Sequence, residues 1–284
     1  MQSQSGRKRG FTLVEIMVAI TILVVIVLLF GQMLGIMSKA WTYGHGRANN
    51  FTKARAMLDL LAQDLQSGVF RPDLAAFPSG SSGTGANPPV WEFYTYRPGI
   101  PAGTTASALR SISIVAYTLS YNGSSTSPSN TYDLQRTDCP ILWSNEATIP
   151  LFGASPFSSV TGTFTARDTA PGVIAFDIIF IQSDGTFSTT YTPISSTGTI
   201  NPTPTRAVSV SLAVIDDLTM KQLSASELSY LNTHLVLPAT PTQSVKASWD
   251  AYLNGTSMPW STYPKNLGSS LATFERYIVL PNAP

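Results

Sequence analysis

The sequence predicts an α+β protein: one long amino-terminal α-helix, transmembrane and then amphipathic, packed on an antiparallel β-sheet with large loops. Three observations carry this. From Phe11 to Ser38 the only ionisable side chain is Glu15. After Lys39 the apolar residues thin to a single helical stripe. Beyond residue 89 the chain turns to segments of alternating β-formers separated by Ser-, Gly- and Pro-rich stretches.

The first segment matches the hydrocarbon thickness of a bilayer. An apolar run of this length covers the ~30 Å that a membrane-spanning helix needs. Arg7, Lys8 and Arg9 precede it with no acid among the first ten residues, so the positive-inside rule keeps the amino terminus cytoplasmic and sends everything after Lys39 across the membrane. An ordinary secretory signal has a shorter apolar core of about 7–15 residues, although Ser38-Lys39-Ala40 resembles a weak cleavage site. A plain signal anchor accounts for the length but not for Glu15, because a carboxylate inside the apolar run costs about 2.5–3.5 kcal/mol on insertion scales.

The helical pattern continues beyond the membrane. Phe51, Ala54, Leu58, Leu61 and Leu65 fall on one stripe, with Lys53, Arg55, Asp59, Gln63, Asp64 and Gln66 assigned to the opposite, polar face. Gly68 and Pro72 mark the stop. A continuous helix from Phe11 to Ser67 would be about 85 Å long, with Gly31, Gly35, Gly44 and Gly46 as places to bend. The stripe is expected to pack on the molecule's own sheet. Residues 78–89 read as a flexible loop. Strands are expected at Val90–Arg97, Ser111–Tyr121, Thr131–Arg136, Ile141–Ser144, Val173–Gln182, Thr186–Thr192, Arg206–Ile215 and Phe274–Leu280. Ser183-Asp184-Gly185 forms the hairpin turn between two of them. Leu218–Leu231 reads as helical and Pro238–Trp249 as irregular. The organisation is therefore a leader at 1–10, a membrane helix at 11–38, an amphipathic helix at 39–68 and a β-rich domain at 69–284 with an insertion at 216–272.

Composition narrows the function classes. The chain has 284 residues, 43% hydrophobic and 12% charged, about half the usual charged fraction. The formal charge is +1. Without the first ten residues acids slightly outnumber bases, which argues against a nucleic-acid partner, since that needs clustered Lys and Arg. Cys139 is the only cysteine, so the chain has no internal disulfide and no cysteine-based metal site. His45 and His234 stand in no zinc-binding frame. No nucleophile elbow or phosphate loop is present, and neither an enzymatic activity nor a cofactor is expected. Asp216-Asp217 read as a solvated turn rather than a calcium site. Asn122-Gly-Ser and Asn254-Gly-Thr match the glycosylation sequon, a pattern that chance supplies.

Gly10-Phe11-Thr12-Leu13-Val14-Glu15, with its basic leader and apolar run, resembles the processing site of type IV pilins and type II secretion pseudopilins. The resemblance implies that prepilin peptidase cuts between Gly10 and Phe11 and methylates the new amino-terminal Phe11. It also implies that Glu15 pairs with the terminal amine of a neighbouring subunit during assembly, which agrees with the need of an intramembrane acid for a partner. Its further implications are a pilin-like fold, other pilin-like or pseudopilin subunits, an inner-membrane assembly platform and membrane lipid as partners, and a periplasmic carboxyl-terminal domain. Ala54–Leu65 with Phe70-Arg71-Pro72, Arg206–Ile215 and Arg276–Pro281 are similar to minor pseudopilins of the J type. In those the last two strands are close in sequence, whereas residues 216–272 intervene here. Prepilin-type proteins of bacterial gene cassettes share the same features. A membrane-tethered adhesin or cargo-binding module is the other function class, with Trp249, Tyr252, Trp260 and Tyr263 either forming an exposed patch or covering a sheet edge.

Overall fold

A computed structural model describes residues 12–70, 90–97, 112–121, 132–140, 165–193, 195–196, 199–237, 240–256, 258–264 and 267–281. The leader, the loop at 78–89 and the expected strand Ile141–Ser144 lie outside the described residues. The chain divides into two compact units, Met1–His45 and Gly46–Pro284.

Helix α1 runs unbroken from Leu13 to Gln66 through all four glycines. In the first unit its described large apolar side chains are exposed. In the second unit the helix has a buried face: Ala54, Met57, Leu58, Leu61, Ala62 and Leu65. Phe51 departs from the expected stripe. It is exposed, its ring 5.9 Å from that of Phe274.

The strands divide into two four-stranded antiparallel sheets rather than one. Sheet A is a meander of β1 (Val90–Thr95), β2 (Ser113–Tyr121), β3 (Tyr132–Pro140) and β4 (Thr165–Pro171), in that order. Sheet B contains β5 (Val173–Gln182), β6 (Phe187–Ser188), β9 (Thr205–Val214) and β10 (Ala272–Val279), in the order β10-β9-β5-β6. A small ribbon joins β7 (Ser195–Ser196) and β8 (Thr199–Ile200). The expected strand at 186–192 contracts to β6, while β3 runs four residues past its expected end.

One glycine joins the two sheets. Gly172 links β4 directly to β5 at φ +91°. Its N–H donates to the Tyr132 carbonyl of sheet A (3.1 Å), and its carbonyl accepts from Ile215 N–H after β9 (2.8 Å). A Cβ here would come 2.7 Å from the Ile215 carbonyl oxygen, so both the backbone angle and the space require glycine.

Two cores follow from the alternation of β5 and β9. Val173, Phe176, Ile178 and Phe180 of β5, with Val208, Val210, Leu212 and Val214 of β9, face α1 and sheet A. Ile174, Ala175, Ile179, Ala213 and Ile215 face the other way, into a second core built by the insertion. The insertion contains α2 (Asp217–Met220), α3 (Ala225–His234), α4 (Val245–Asn254) and α5 (Leu267–Ser270). It leaves after β9 and returns at β10 with Val214 paired to Ala272, a closed excursion from a strand pair. The helix expected at 218–231 breaks into α2 and α3 at Ser224, whose side chain and Glu227 form a capping box. The irregular segment expected at 238–249 instead starts α4, capped by Ser244. Trp249 is buried and donates to the Val236 carbonyl (3.3 Å). It covers the face of sheet B, not an edge.

The largest correction concerns Asp64, placed on the polar face by periodicity. Its side chain is 0% exposed. Arg136 of β3 donates to it through Nε (2.6 Å) and Nη2 (3.2 Å), Arg97 through Nη1 (2.7 Å), and Tyr117 of β2 through its hydroxyl (2.6 Å). The last turn of α1 has no basic residue of its own. The two arginines supply the positive charge that a helix carboxyl end and its buried acid both require. Backbone bonds complete the junction: Val69 N–H to the Tyr94 carbonyl (2.8 Å) and Tyr96 N–H to the Ser67 carbonyl (2.9 Å). Burial, then the Asp64 charge, holds the Tyr117 hydroxyl well above its usual pKa.

A second buried acid ties the insertion to sheet B. Asp177 of β5 accepts from Ile178 N–H (2.9 Å) and, across the layer, from Leu237 N–H (3.1 Å). Burial pushes it up to about 7 against these two bonds. Glu92 is likewise raised to about 7 by burial. A carboxyl whose folded pKa is raised contributes stability that is full below about pH 4 and is lost as pH rises through about 7.

Three outcomes follow for the full chain in detergent. Asp64→Ala or Arg136→Ala strands a buried charge and should lower unfolding free energy by about 3–5 kcal/mol, with Arg97→Ala, whose side chain is partly exposed, costing less. Gly172→Ala should cost about 1–3 kcal/mol in the same denaturant titration. Asp177→Asn should improve stability relative to the parent by about 2 kcal/mol more at pH 8 than at pH 5; a pH-independent difference would contradict the raised carboxyl.

Candidate membrane-anchor and assembly site

Helix α1 begins with a cap built from the sequence around Glu15. The Thr12 hydroxyl accepts from Glu15 N–H (3.3 Å), and the Thr12 carbonyl accepts from Ile16 N–H (3.2 Å). This is the N-cap half of a Thr-x-x-Glu arrangement, and it satisfies a donor that a helix start otherwise leaves open. The cap is a signal the apolar run concealed: Thr12 is legible as an N-cap only once the helix start is known. Glu15 lies in the first turn, where the helix dipole favours a carboxylate.

Beyond Glu15 the surface is apolar on every side. Leu13, Val14, Ile16, Met17 and the large apolar residues through Met37 are each about half or more exposed. Ile16, Ala19, Ile20 and Leu23 form with Glu15 a shallow apolar strip along one face. Thr21 returns its hydroxyl hydrogen to the Val18 carbonyl (2.8 Å), so its polar group is satisfied within the helix, as a lipid-facing hydroxyl must be. Among the described residues the Glu15 carboxylate has no ion-pair partner. The chemistry on offer is that of an exposed apolar helix with one acid near its start, able to receive a cation and to pack against lipid or another helix. Gly10 and Phe11 lie outside the described residues.

Residues 5–30 match the family model of the prokaryotic N-terminal methylation motif. The chain carries a prepilin-type amino terminus. The matched residues include Gly10, Phe11 and Glu15, and the motif implies processing by prepilin peptidase and assembly with other pilin-like subunits. A comparison with curated proteins finds no match. The helix Leu13–Gln66 includes a stretch long and apolar enough to cross a membrane, and together with the motif it supports membrane anchoring.

Asp216, Asp217 and His234, also singled out in the sequence, have structural partners. Asp216 caps α2, accepting from Leu218 N–H, Thr219 N–H and the Thr219 hydroxyl. Asp217 pairs with Lys53 of α1 at 2.8 Å. Both adjacent acids thus tie the insertion's first turn into the fold instead of being a purely solvated pair. His234 is exposed, its ring stacked 3.9 Å from that of Tyr230, with Tyr252 beyond at 5.5 Å. His45 sits on α1, remote in sequence from His234.

Proposed function

We propose that this chain is a structural minor subunit of a type II secretion pseudopilus or a type IV pilus-like filament. In this reading prepilin peptidase cleaves after Gly10 and methylates Phe11. The basic leader of the precursor stays cytoplasmic until cleavage, and the carboxyl-terminal domain occupies the periplasm. Assembly proceeds through the amino-terminal helix, with Glu15 meeting the Phe11 amine of a neighbouring subunit at the inner-membrane platform. The chain serves as scaffold and contact surface, with no enzymatic step of its own.

The observation that supports this best is the register of the matched motif on the helix. Glu15 stands in the first turn of α1, at the head of an apolar surface that is exposed among the described residues. A buried charge pair between subunits gives that acid a partner where water is scarce. The sheet layout supports the J-type minor pseudopilin within this class. β9 and β10 pair directly across the insertion, so the two last strands are neighbours in space despite residues 216–271 between them. The insertion then reads as an added layer on a shared framework.

The test is Glu15→Ala in cells that carry the companion pilin-like subunits and their assembly machinery. The variant should still be cleaved and should reach the membrane, but its recovery in cross-linked or sheared filament fractions should fall by about tenfold or more, the scale of losing about 1.4 kcal/mol or more. Incorporation equal to the parent would reject the assigned role of Glu15.

A further inference from the structure

The head-side end of the apolar run carries a second feature that the motif does not cover. Lys39, Trp41 and Tyr43 follow Met37 on α1, all solvent-exposed, Trp41 at 79% and Tyr43 at 47%. At 100° per residue, Lys39 and Tyr43 share one face of the helix and Trp41 lies on the opposite face, so the three encircle it. Among the described residues neither aromatic is buried, and both belong to the stretch of α1 before Gly46. Amphipathic aromatics and a long-stemmed cation at the end of an apolar run are the side chains that settle at the headgroup level of a bilayer. Thr42 returns its hydroxyl to the Ser38 carbonyl (3.0 Å), leaving the ring of three as the groups that solvent or lipid must receive.

This ring fixes a membrane register. Glu15 lies about 36 Å before Lys39 along the helix at 1.5 Å per residue, and about 34 Å along the membrane normal at a tilt of ~20°. The hydrocarbon is ~30 Å thick. If Lys39 to Tyr43 occupy the head-side interface, Glu15 reaches the opposite water–lipid boundary and escapes most of the cost of a carboxylate in hydrocarbon. The alternative register, with the helix start Leu13 at the leader-side boundary, puts Trp41 about 10 Å beyond the far edge of the hydrocarbon and leaves Glu15 inside it.

We propose that Lys39, Trp41 and Tyr43 bind the phosphate and glycerol-ester zone of the bilayer on the head side, and thereby hold Glu15 at the leader-side boundary in the unassembled subunit. The proposal rests on the membrane-anchor reading above. It separates two states of Glu15: wet in the free subunit, and enclosed once a neighbour covers it.

The full chain reconstituted in phosphatidylethanolamine–phosphatidylglycerol vesicles tests both ends of the register. The emission of Trp41, taken as the difference between the parent and Trp41→Phe, should be quenched most by lipids brominated near the glycerol, about twofold more than by lipids brominated near the chain ends. In a Cys139→Ser background with permeabilised vesicles, Glu15→Cys should react with a membrane-impermeant maleimide about tenfold or more faster than Ile22→Cys. Strongest quenching from the chain ends, or none from either lipid in protein that floats with the vesicles, overturns the collar. Protection of position 15 equal to that of position 22 overturns the register. A chain that fails to float with vesicles overturns the anchor reading itself, and the proposal with it.

Discussion

The carboxylate of Asp64 is the constraint on which the folded domain depends. An acid this deeply buried is tolerable only when its charge and lone pairs are met, and here Arg136 and Tyr117 meet them from sheet A and Arg97 from the bend that follows β1. Asp64 is in the last turn of α1, where a negative charge opposes the helix dipole. The helix therefore ends against β2, β3 and the end of β1, with Ser67, just past its last residue, bonded to Thr95 and Tyr96. Once that end is fixed, the Ala54–Leu65 face has one place to go, the core shared by sheets A and B.

The insertion builds outward from that framework without altering it. β9 and β10 pair as they would in a short hairpin, and the 216–271 excursion uses the otherwise bare face of sheet B as its floor. Polar ties locate it as well as apolar burial. Asp177 receives Leu237 N–H, Asn232 donates to the Ile174 carbonyl (2.9 Å), and Asn50 of α1 donates to the Ser270 carbonyl (2.9 Å). Lys53 with Asp217 and Arg276 with Asp59 add partly exposed ion pairs, each worth at most about 1 kcal/mol. Apolar contact gives this layer most of its stability, and the buried polar bonds set where it sits.

Much of this was legible in the sequence, for reasons that differ by element. β5 and β9 were plain because their β-branched runs are long and bounded by turn residues. The helix was plain because its apolar surface is continuous and then periodic. β4, Thr165–Pro171, was missed since it has few β-formers and is placed by its pairing with β3. α4 was missed because Pro238, Pro241 and Ser residues precede it, masking a start that Ser244 in fact caps. Asp64 was misassigned for a deeper reason: periodicity places residues by polarity, and only tertiary structure brings the Arg136 and Arg97 that make its burial favourable. Of the functional residues, Glu15 stood out because an acid in an apolar run demands explanation, whereas Trp41 and Tyr43 looked ordinary until their exposure was known.

The account reduces to a division of labour along one chain. In the function proposed above, the first residues address the protein to a processing enzyme, and the apolar helix holds it in lipid and offers Glu15 to a neighbour. The intact mass of the chain recovered from membranes of cells containing prepilin peptidase tests this most directly. The account predicts a mature protein beginning at Phe11 and carrying one added methyl group. An uncleaved chain, or one cut near Ala40 as an ordinary secretory signal would be, would contradict it.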